Sequence, residues 1–405
     1  MIEKMKKFIS EIPKTDLHVH LDGSLRLPTL IELAKQEKVK LPSYEESGLR
    51  ELVFKEKYTS LGDYLKGFAL TCAVLQNKEN LERVAYELAL DNIAENVRYL
   101  EVRFAPQLCQ SKELSLPEII GAVNNGLEKA RLEQKLSPRL ISGDDIPFRY
   151  GIIVGAMRCF NEHFSSYYHD LCKTMAYAPK KEIFRTASME LARAAVKIRD
   201  EQGSAIVGFD LCGEEHGYPA ILHKDAYTYV HKNFMGKTVH AGEAYGPESI
   251  FQAITDCHAN RIGHGTFLFD HAEIKDQDIT HPEKFSEALI NYIAGRRISI
   301  EVCPTSNLQT LPHLKNDIKN HPVKKMIDRR LSVTICTDNR LVSNTNITKE
   351  LSMIVENFDI TPKQLRDLVI AGFKGSFFYS CYVDQRKFVR LAIDRYDKLA
   401  KAYLV

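Results

Sequence analysis

Tryptophan is absent from the 405 residues, and so is any Cys-x-x-Cys pair. The nine cysteines (Cys72, Cys109, Cys159, Cys172, Cys212, Cys257, Cys303, Cys336 and Cys381) are odd in number and scattered. That pattern excludes a zinc ribbon and the thiolate-ligated deaminases of nucleic acid, and it fits reduced core thiols rather than a disulfide framework. Long apolar runs are missing too. A stretch such as residues 151–157 falls far short of the ~20 residues of a membrane helix, so no membrane partner is expected. Residues 1–8 are rich in lysine but lead into Ser10-Glu11-Ile12-Pro13 without an apolar segment. No secretory leader is therefore expected, and the expected compartment is the cytoplasm. Lysine and arginine number 55 against 53 aspartates and glutamates, a formal net charge of +2 with no basic tail or stripe. Nucleic acid has no electrostatic support as a partner. No Gly/Ser-rich or Pro-rich linker and no charge block divides the chain, so residues 1–405 are expected to form a single domain.

What is present, 44% hydrophobic and 27% charged residues, is ordinary for a soluble globular protein. Eight short β-rich runs recur, at residues 16–21, 98–104, 150–157, 205–211, 237–241, 261–264, 298–303 and 332–337. Between them lie amphipathic segments at 25–38, 61–76, 81–95, 116–135, 181–200, 247–259, 284–294 and 323–329. Strands alternating with helices predict an α/β fold with a parallel sheet, and eight repeats predict a closed TIM (β/α)8 barrel. Residues 136–149 and 266–282 read as loop insertions, and segments 347–358, 362–373 and 386–403 as extra C-terminal helices. An open doubly wound sheet would spread the polar residues at the ends of runs one, five, six and eight; a barrel gathers them at one mouth.

Asp16-Leu-His-Val-His-Leu-Asp-Gly23 alternates acids and histidines with apolar residues. On a strand, Asp16, His18, His20 and Asp22 share one face while Leu17, Val19 and Leu21 cover the other. Lys237-Thr-Val-His-Ala-Gly-Glu243 ends a strand on His240, turns at Gly242 and presents Glu243 three residues on. Ser332-Val-Thr-Ile-Cys-Thr-Asp338 places Ser332, Thr334, Cys336 and Asp338 on one face. Together His18, His20, His240 and Asp338 offer three neutral imidazoles and a carboxylate, an N3O set for a divalent ion with room for a water. Zinc suits imidazole best, with cobalt, iron and manganese left open. Arg261-Ile-Gly-His-Gly265 sets His264 between two glycines, as a further ligand, a base or a loop histidine. A second metal would need a bridging group such as a modified lysine after the fourth run, and Ile206-Val-Gly-Phe-Asp-Leu-Cys-Gly-Glu214 has none. One metal per chain is expected, which frees His264 for proton chemistry.

His18-Val-His-Leu-Asp-Gly23, Asp210-Leu-Cys-Gly213, His240-Ala-Gly-Glu243, Arg261-Ile-Gly-His-Gly265, Cys303-Pro-Thr-Ser306 and Thr337-Asp338, in this order, resemble the adenosine deaminases of the amidohydrolase superfamily. The resemblance extends over residues 16–345 and includes Val97-Arg-Tyr-Leu-Glu-Val-Arg-Phe-Ala-Pro106. It implies one Zn2+ held by His18, His20, His240 and Asp338, with a water as nucleophile on purine C6. His264 would orient that water and take its proton, Asp338 would accept a hydrogen bond from it, and a protonated Glu243 would donate to N1. Gly213 N–H would reach N3, Asp22 the ribose 5′-hydroxyl, and His20 would also line the substrate. Where the family commonly has a second aspartate, this chain has Asn339, whose amide NH2 donates to N7 without needing a proton. Segment 61–76 would form a helical cover. The expected reaction is deamination of adenosine and 2′-deoxyadenosine, with a small purine nucleoside as the partner and a monomeric chain. The alternatives are deamination of adenine, AMP or a futalosine-pathway nucleoside, and a noncatalytic binding barrel.

Overall fold

Each of the eight runs forms a strand because apolar residues recur at every second position and pack outward against helices, leaving small or polar residues facing in. A computed structural model describes residues 2–58 and 61–404. Its strands are β1 (Lys14–His20), β2 (Val97–Phe104), β3 (Arg149–Met157), β4 (Ile206–Cys212), β5 (Gly236–Ala241), β6 (Arg261–His264), β7 (Ser299–Val302) and β8 (Ser332–Ile335). All pair in parallel and in chain order. The ring closes just past β8, where Val19 bridges Asp338. There the His20 N–H donates to the Asp338 carbonyl and the Asp338 N–H to that of His18, each at 2.7 Å. The observed architecture is the expected TIM (β/α)8 barrel, and its closing seam carries three of the expected site residues.

The predicted helices form with ends moved by a few residues: Leu116–Lys135 coincides with its segment, and the expected cover is helical over Leu61–Ala73. The three extra C-terminal helices are Ile347–Asn357, Pro362–Gly375 and Tyr382–Leu404. Among the described residues, the helices Ile2–Glu11, Glu46–Leu52, Ser166–Thr174, Lys224–Lys232 and Pro304–Thr310 went unread in the sequence. The first absorbs the lysine-rich start from Ile2 on; Met1 lies outside the described residues. Its Phe8 ring packs edge-on against Tyr396 of the last helix at 5.4 Å, and Lys14 Nζ donates to the carbonyls of Ile9, Ser10 and Ile12 at its C-terminus. The insertion at 136–149 contains the single-turn helix Pro138–Ile141, and that at 266–282 contains the 3-10 turns Thr266–Phe269 and His271–Glu273. Among the described residues the main hydrophobic core draws on residues from Phe8 to Leu399, and a smaller cluster gathers Phe160, Tyr168, Ile183, Phe184 and Ala187. Among the described residues no helix is long and apolar enough to cross a membrane.

Charge, not hydrocarbon, fills the barrel under the site. Glu301 of β7 accepts from His18 Nδ1 at 2.8 Å, Arg103 Nη2 at 2.8 Å, Arg261 Nε at 2.5 Å and Thr238 Oγ1 at 3.0 Å, all buried. Arg103 also reaches Asp210 at 2.8 Å, and Arg261 pairs with Glu101. Burial alone would raise the Glu301 carboxyl, but Arg103 and Arg261 hold it well below the usual range. Removing one partner from such a network strands the others unpaired in a low-dielectric interior. Glu301→Ala is therefore expected to lower folding stability by about 3–5 kcal/mol, read from urea unfolding. Glu301→Gln keeps the shape and is expected to weaken metal affinity about 10–100-fold by loosening His18. A variant as stable as the parent would remove Glu301 from the structural account.

Candidate active site

The strands' C-terminal ends open on one mouth, where the expected ligands meet. One ligand atom from each of His18, His20, His240 and Asp338 lies within 4.8 Å of the others. His20 Nε2 and His240 Nε2 are 3.2 Å apart; His18 Nε2 and His20 Nε2 are 3.4 and 3.5 Å from Asp338 Oδ1. Carboxylates hold the outer nitrogens, with Glu301 on His18 Nδ1 and Asp210 on His240 Nδ1 at 3.1 Å. An ionised carboxylate only accepts, so both Nδ1 atoms carry hydrogen and both Nε2 lone pairs point inward. His18 Nε2 is buried without a hydrogen-bond partner. Lone pairs and a carboxylate oxygen aimed at one point repel unless a cation lies among them, so the donor set fits a divalent ion.

Electrostatics agree with neutral ligands at two positions. Burial lowers the pKa of His18 and takes that of His20 well below its usual value. Burial also pulls His240 down, but Asp210 outweighs it and the net shift is upward. For Asp338 burial is overcome by His18, by bond and charge, with His264 and His20 adding to it, so its carboxyl stays far below the ordinary range. Ser306 Oγ donates to Asp338 Oδ2 at 2.6 Å, and Thr337 Oγ1 and N–H donate to Asp16, tying the seam to β1.

Two site residues sit in left-handed backbone, Asp338 at φ +62° and His264 at φ +66°. Non-glycine residues hold that conformation only where the surroundings over-determine it. In β6 Arg261 and Gly263 face the barrel, so alternation alone would turn His264 outward; its backbone turn instead puts the ring 4.8 Å from that of His18. His264 Nε2, buried and without a hydrogen-bond partner, lies 3.7 Å from Glu243 Oε2. Glu243 is presented by a turn at Gly242 (φ +67°), which Glu215 pins. The Glu215 carboxylate accepts from the N–H groups of Gly242, Glu243 and Ala244 at 2.8, 2.9 and 2.6 Å, and from the Ser249 hydroxyl. Burial raises the Glu243 carboxyl above its usual range, against the opposing pull of His264.

The remaining expected residues also border this mouth. Asp22 is pushed up to about 7 by burial, and its Oδ1 has no hydrogen-bond partner. Gly213 follows β4 at φ +95°. Asn339 Nδ2 donates to Tyr64 Oη at 2.8 Å, and its Oδ1 is buried without a partner. A side chain at position 23 would meet that oxygen, since a Cβ there would lie 1.9 Å from it. Tyr64 comes from the helical cover and also meets Ser343 Oγ at 3.0 Å, so the cover is bonded to the site's floor. Sequence reasoning missed Glu301, Arg103, Glu215, Tyr64, Ser306, Asn307 and His321 as site residues. For Glu301 and Arg103 a signal existed: each is a charged residue flanked by apolar neighbours in mid-strand.

A closed parallel barrel with a buried three-histidine, one-aspartate cluster at its C-terminal mouth defines a barrel protein with a metal-type hydrolase site. The chain belongs to the adenosine deaminase family, whose model matches residues 13–144 and 172–395. It is 36% identical over 371 residues to an adenosine deaminase of Mycolicibacterium vanbaalenii, covering 91% of each chain. It is 32% identical over 382 residues to a probable adenosine deaminase of Dictyostelium discoideum, covering 93% of this chain but 42% of that longer protein. Among solved structures, an amidohydrolase from Burkhoderia ambifaria with bound Zn superposes with TM-score 0.75 at 20% identity, covering 99% of this chain and 95% of that one.

Proposed function

We propose that the chain hydrolyses adenosine and 2′-deoxyadenosine to inosine and 2′-deoxyinosine, releasing ammonia. The observation that carries this reading is the set of buried, unpartnered polar atoms at one mouth: His18 Nε2, Asp22 Oδ1 and His264 Nε2. Buried polar groups are normally paired, so three together mark where a polar ligand belongs. His18, His20, His240 and Asp338 would hold one zinc ion, which when bound lowers the pKa of a water from about 15.7 toward about 7. A water held there would add to C6, with Asp338 accepting a hydrogen bond from it. Glu243, whose burial favours the acid form, gives its proton to N1, so that negative charge does not build on the ring. The hydroxyl proton of the adduct then passes to the amino nitrogen, the C6–N bond breaks as the C6 carbonyl forms, and ammonia leaves; the hydrogen that the water gave up on adding returns Glu243 to its acid form.

Around the ring, Gly213 N–H serves N3 and the second N–H of the Asn339 amide serves N7, the first being held by Tyr64. Asp22 takes the ribose 5′-hydroxyl, a role that its free Oδ1 supports and that adenine would leave empty. A nucleotide needs a cation for its phosphate. Arg26, three residues past the first motif, is already bound to Asp91 through Nε at 3.0 Å and Nη2 at 2.5 Å. The test is turnover of adenosine, adenine and AMP side by side. Adenosine is expected to give the highest kcat/KM, and preference for either of the others would overturn the substrate assignment.

A further inference from the structure

A line of three buried side chains runs away from the reacting centre behind His264. His264 Nδ1 meets Asn307 Nδ2 at 3.1 Å, Asn307 Oδ1 meets His321 Nε2 at 3.2 Å, and the backbone N–H of Val323 donates to His321 Nδ1 at 3.0 Å. Asn307 belongs to the helix Pro304–Thr310 that follows β7, and His321 precedes the helix Val323–Asp328 that leads to β8. All three side chains are essentially without solvent contact.

The backbone end fixes the direction of every bond in this line. A peptide N–H can only donate, so His321 Nδ1 must accept. Burial takes the His321 pKa down to about 3, so the ring is neutral and carries its one hydrogen on Nε2. That hydrogen needs an acceptor, which orients the Asn307 carbonyl toward His321 and its NH2 toward His264. His264 Nδ1 therefore accepts, and the neutral ring keeps its hydrogen on Nε2, the atom that faces Glu243 and the ligand cluster without a protein partner.

We propose that Asn307 and His321 are positioning residues that lock His264 in the Nε2–H tautomer, making it a hydrogen-bond donor to the attacking oxygen rather than the acceptor of its proton. A neutral imidazole with hydrogen on Nε2 has no lone pair there, so this reverses the proton-accepting role that the family resemblance implied for His264. Asp338 and His264 then complement one another, one accepting from the water and the other donating to it. The tautomer follows from the hydrogen bonds alone; its catalytic meaning rests on the deaminase reading above.

The test is long-range proton–nitrogen NMR of the full-length, zinc-loaded protein labelled with nitrogen-15 histidine, the His264 signals being assigned by their loss in His264→Ala. In the parent, His264 is expected to show a hydrogen-bearing Nε2 and a bare Nδ1 with no substrate present. Asn307→Asp, nearly isosteric, turns an acceptor toward Nδ1 and is expected to move the hydrogen there. It should lower kcat on adenosine by about 10²–10⁴-fold with little change in KM, as a wrong histidine tautomer does elsewhere. His321→Gln, which still offers an N–H to Asn307 Oδ1, is expected to keep the parent tautomer. A parent spectrum with hydrogen on His264 Nδ1 overturns the proposal whether or not any variant folds, as does an unchanged tautomer in Asn307→Asp. The expected spectra in a protein that deaminates no nucleoside would sink the activity and leave the tautomer lock standing.

Discussion

Stripping divalent metal from the protein with a chelator is expected to take adenosine turnover below detection, and adding zinc back is expected to restore it. The inner nitrogens are directed so as to need a cation. Glu301 and Asp210 each consume an Nδ1 hydrogen, which leaves His18 and His240 with inward lone pairs beside the Asp338 carboxylate. The His20 and His240 Nε2 atoms face each other at 3.2 Å. No hydrogen-bonding scheme satisfies that geometry as well as a shared cation does. Loss of the ion should also cost stability, because a ligand bound only by the folded state adds about 4 kcal/mol at a thousand times its Kd. The melting temperature is expected to fall on metal removal and to recover with zinc. Full turnover in protein shown by elemental analysis to be metal-free would end the metal-site account. His240→Ala should reproduce the stripped protein.

Much of this site is visible in the sequence, for reasons that differ from residue to residue. His18 and His20 are legible because period two in β1 fixes which residues share a face whatever the neighbours are. Asp338 is reached by extending the same alternation from β8, although the strand ends at Ile335 and the residue's backbone, at φ +62°, is no longer a strand's. The barrel is legible because eight short apolar runs alternate with longer amphipathic ones. What stays hidden depends on which strands become neighbours and on backbone turns. His264 faces the site only because its φ is +66°, and no spacing rule announces that. Glu301 could be suspected, standing between Ile300 and Val302, yet its service to Arg103, Arg261 and His18 requires the closed ring. Glu215 looks like any acid in a polar loop until the fold brings three backbone N–H groups onto it. The helix Lys224–Lys232 escaped because it is short and buries only Ala226, Tyr227 and Val230, too few positions to show a period.

Glu243→Gln is expected to lower kcat on adenosine by about 10²–10⁴-fold, the usual contribution of a placed general acid, with zinc content and KM close to those of the parent. Glutamine keeps the shape and offers N1 an amide N–H, which donates a hydrogen bond but is far too weak an acid to give up its proton, so N1 is contacted but never protonated. The pH behaviour separates this role from a structural one. Burial raises the Glu243 carboxyl above its usual range, so the acid form that the reaction needs persists at higher pH than in free glutamate and is lost as pH rises through the raised value. Activity of the parent should therefore fall on the alkaline side of that value, whereas the residual activity of Glu243→Gln should lack this limb. Stability carries the same sign. A folded state that holds its proton more tightly than the unfolded chain gains stability below the ordinary carboxylate range, and that gain disappears as pH climbs through the folded pKa. Glutamine has no proton to lose, so unfolding of the variant should be less sensitive to pH in that window. A Glu243→Gln protein that turns adenosine over at the parent's rate, with the same pH limb, would show that the proton reaches N1 from another group.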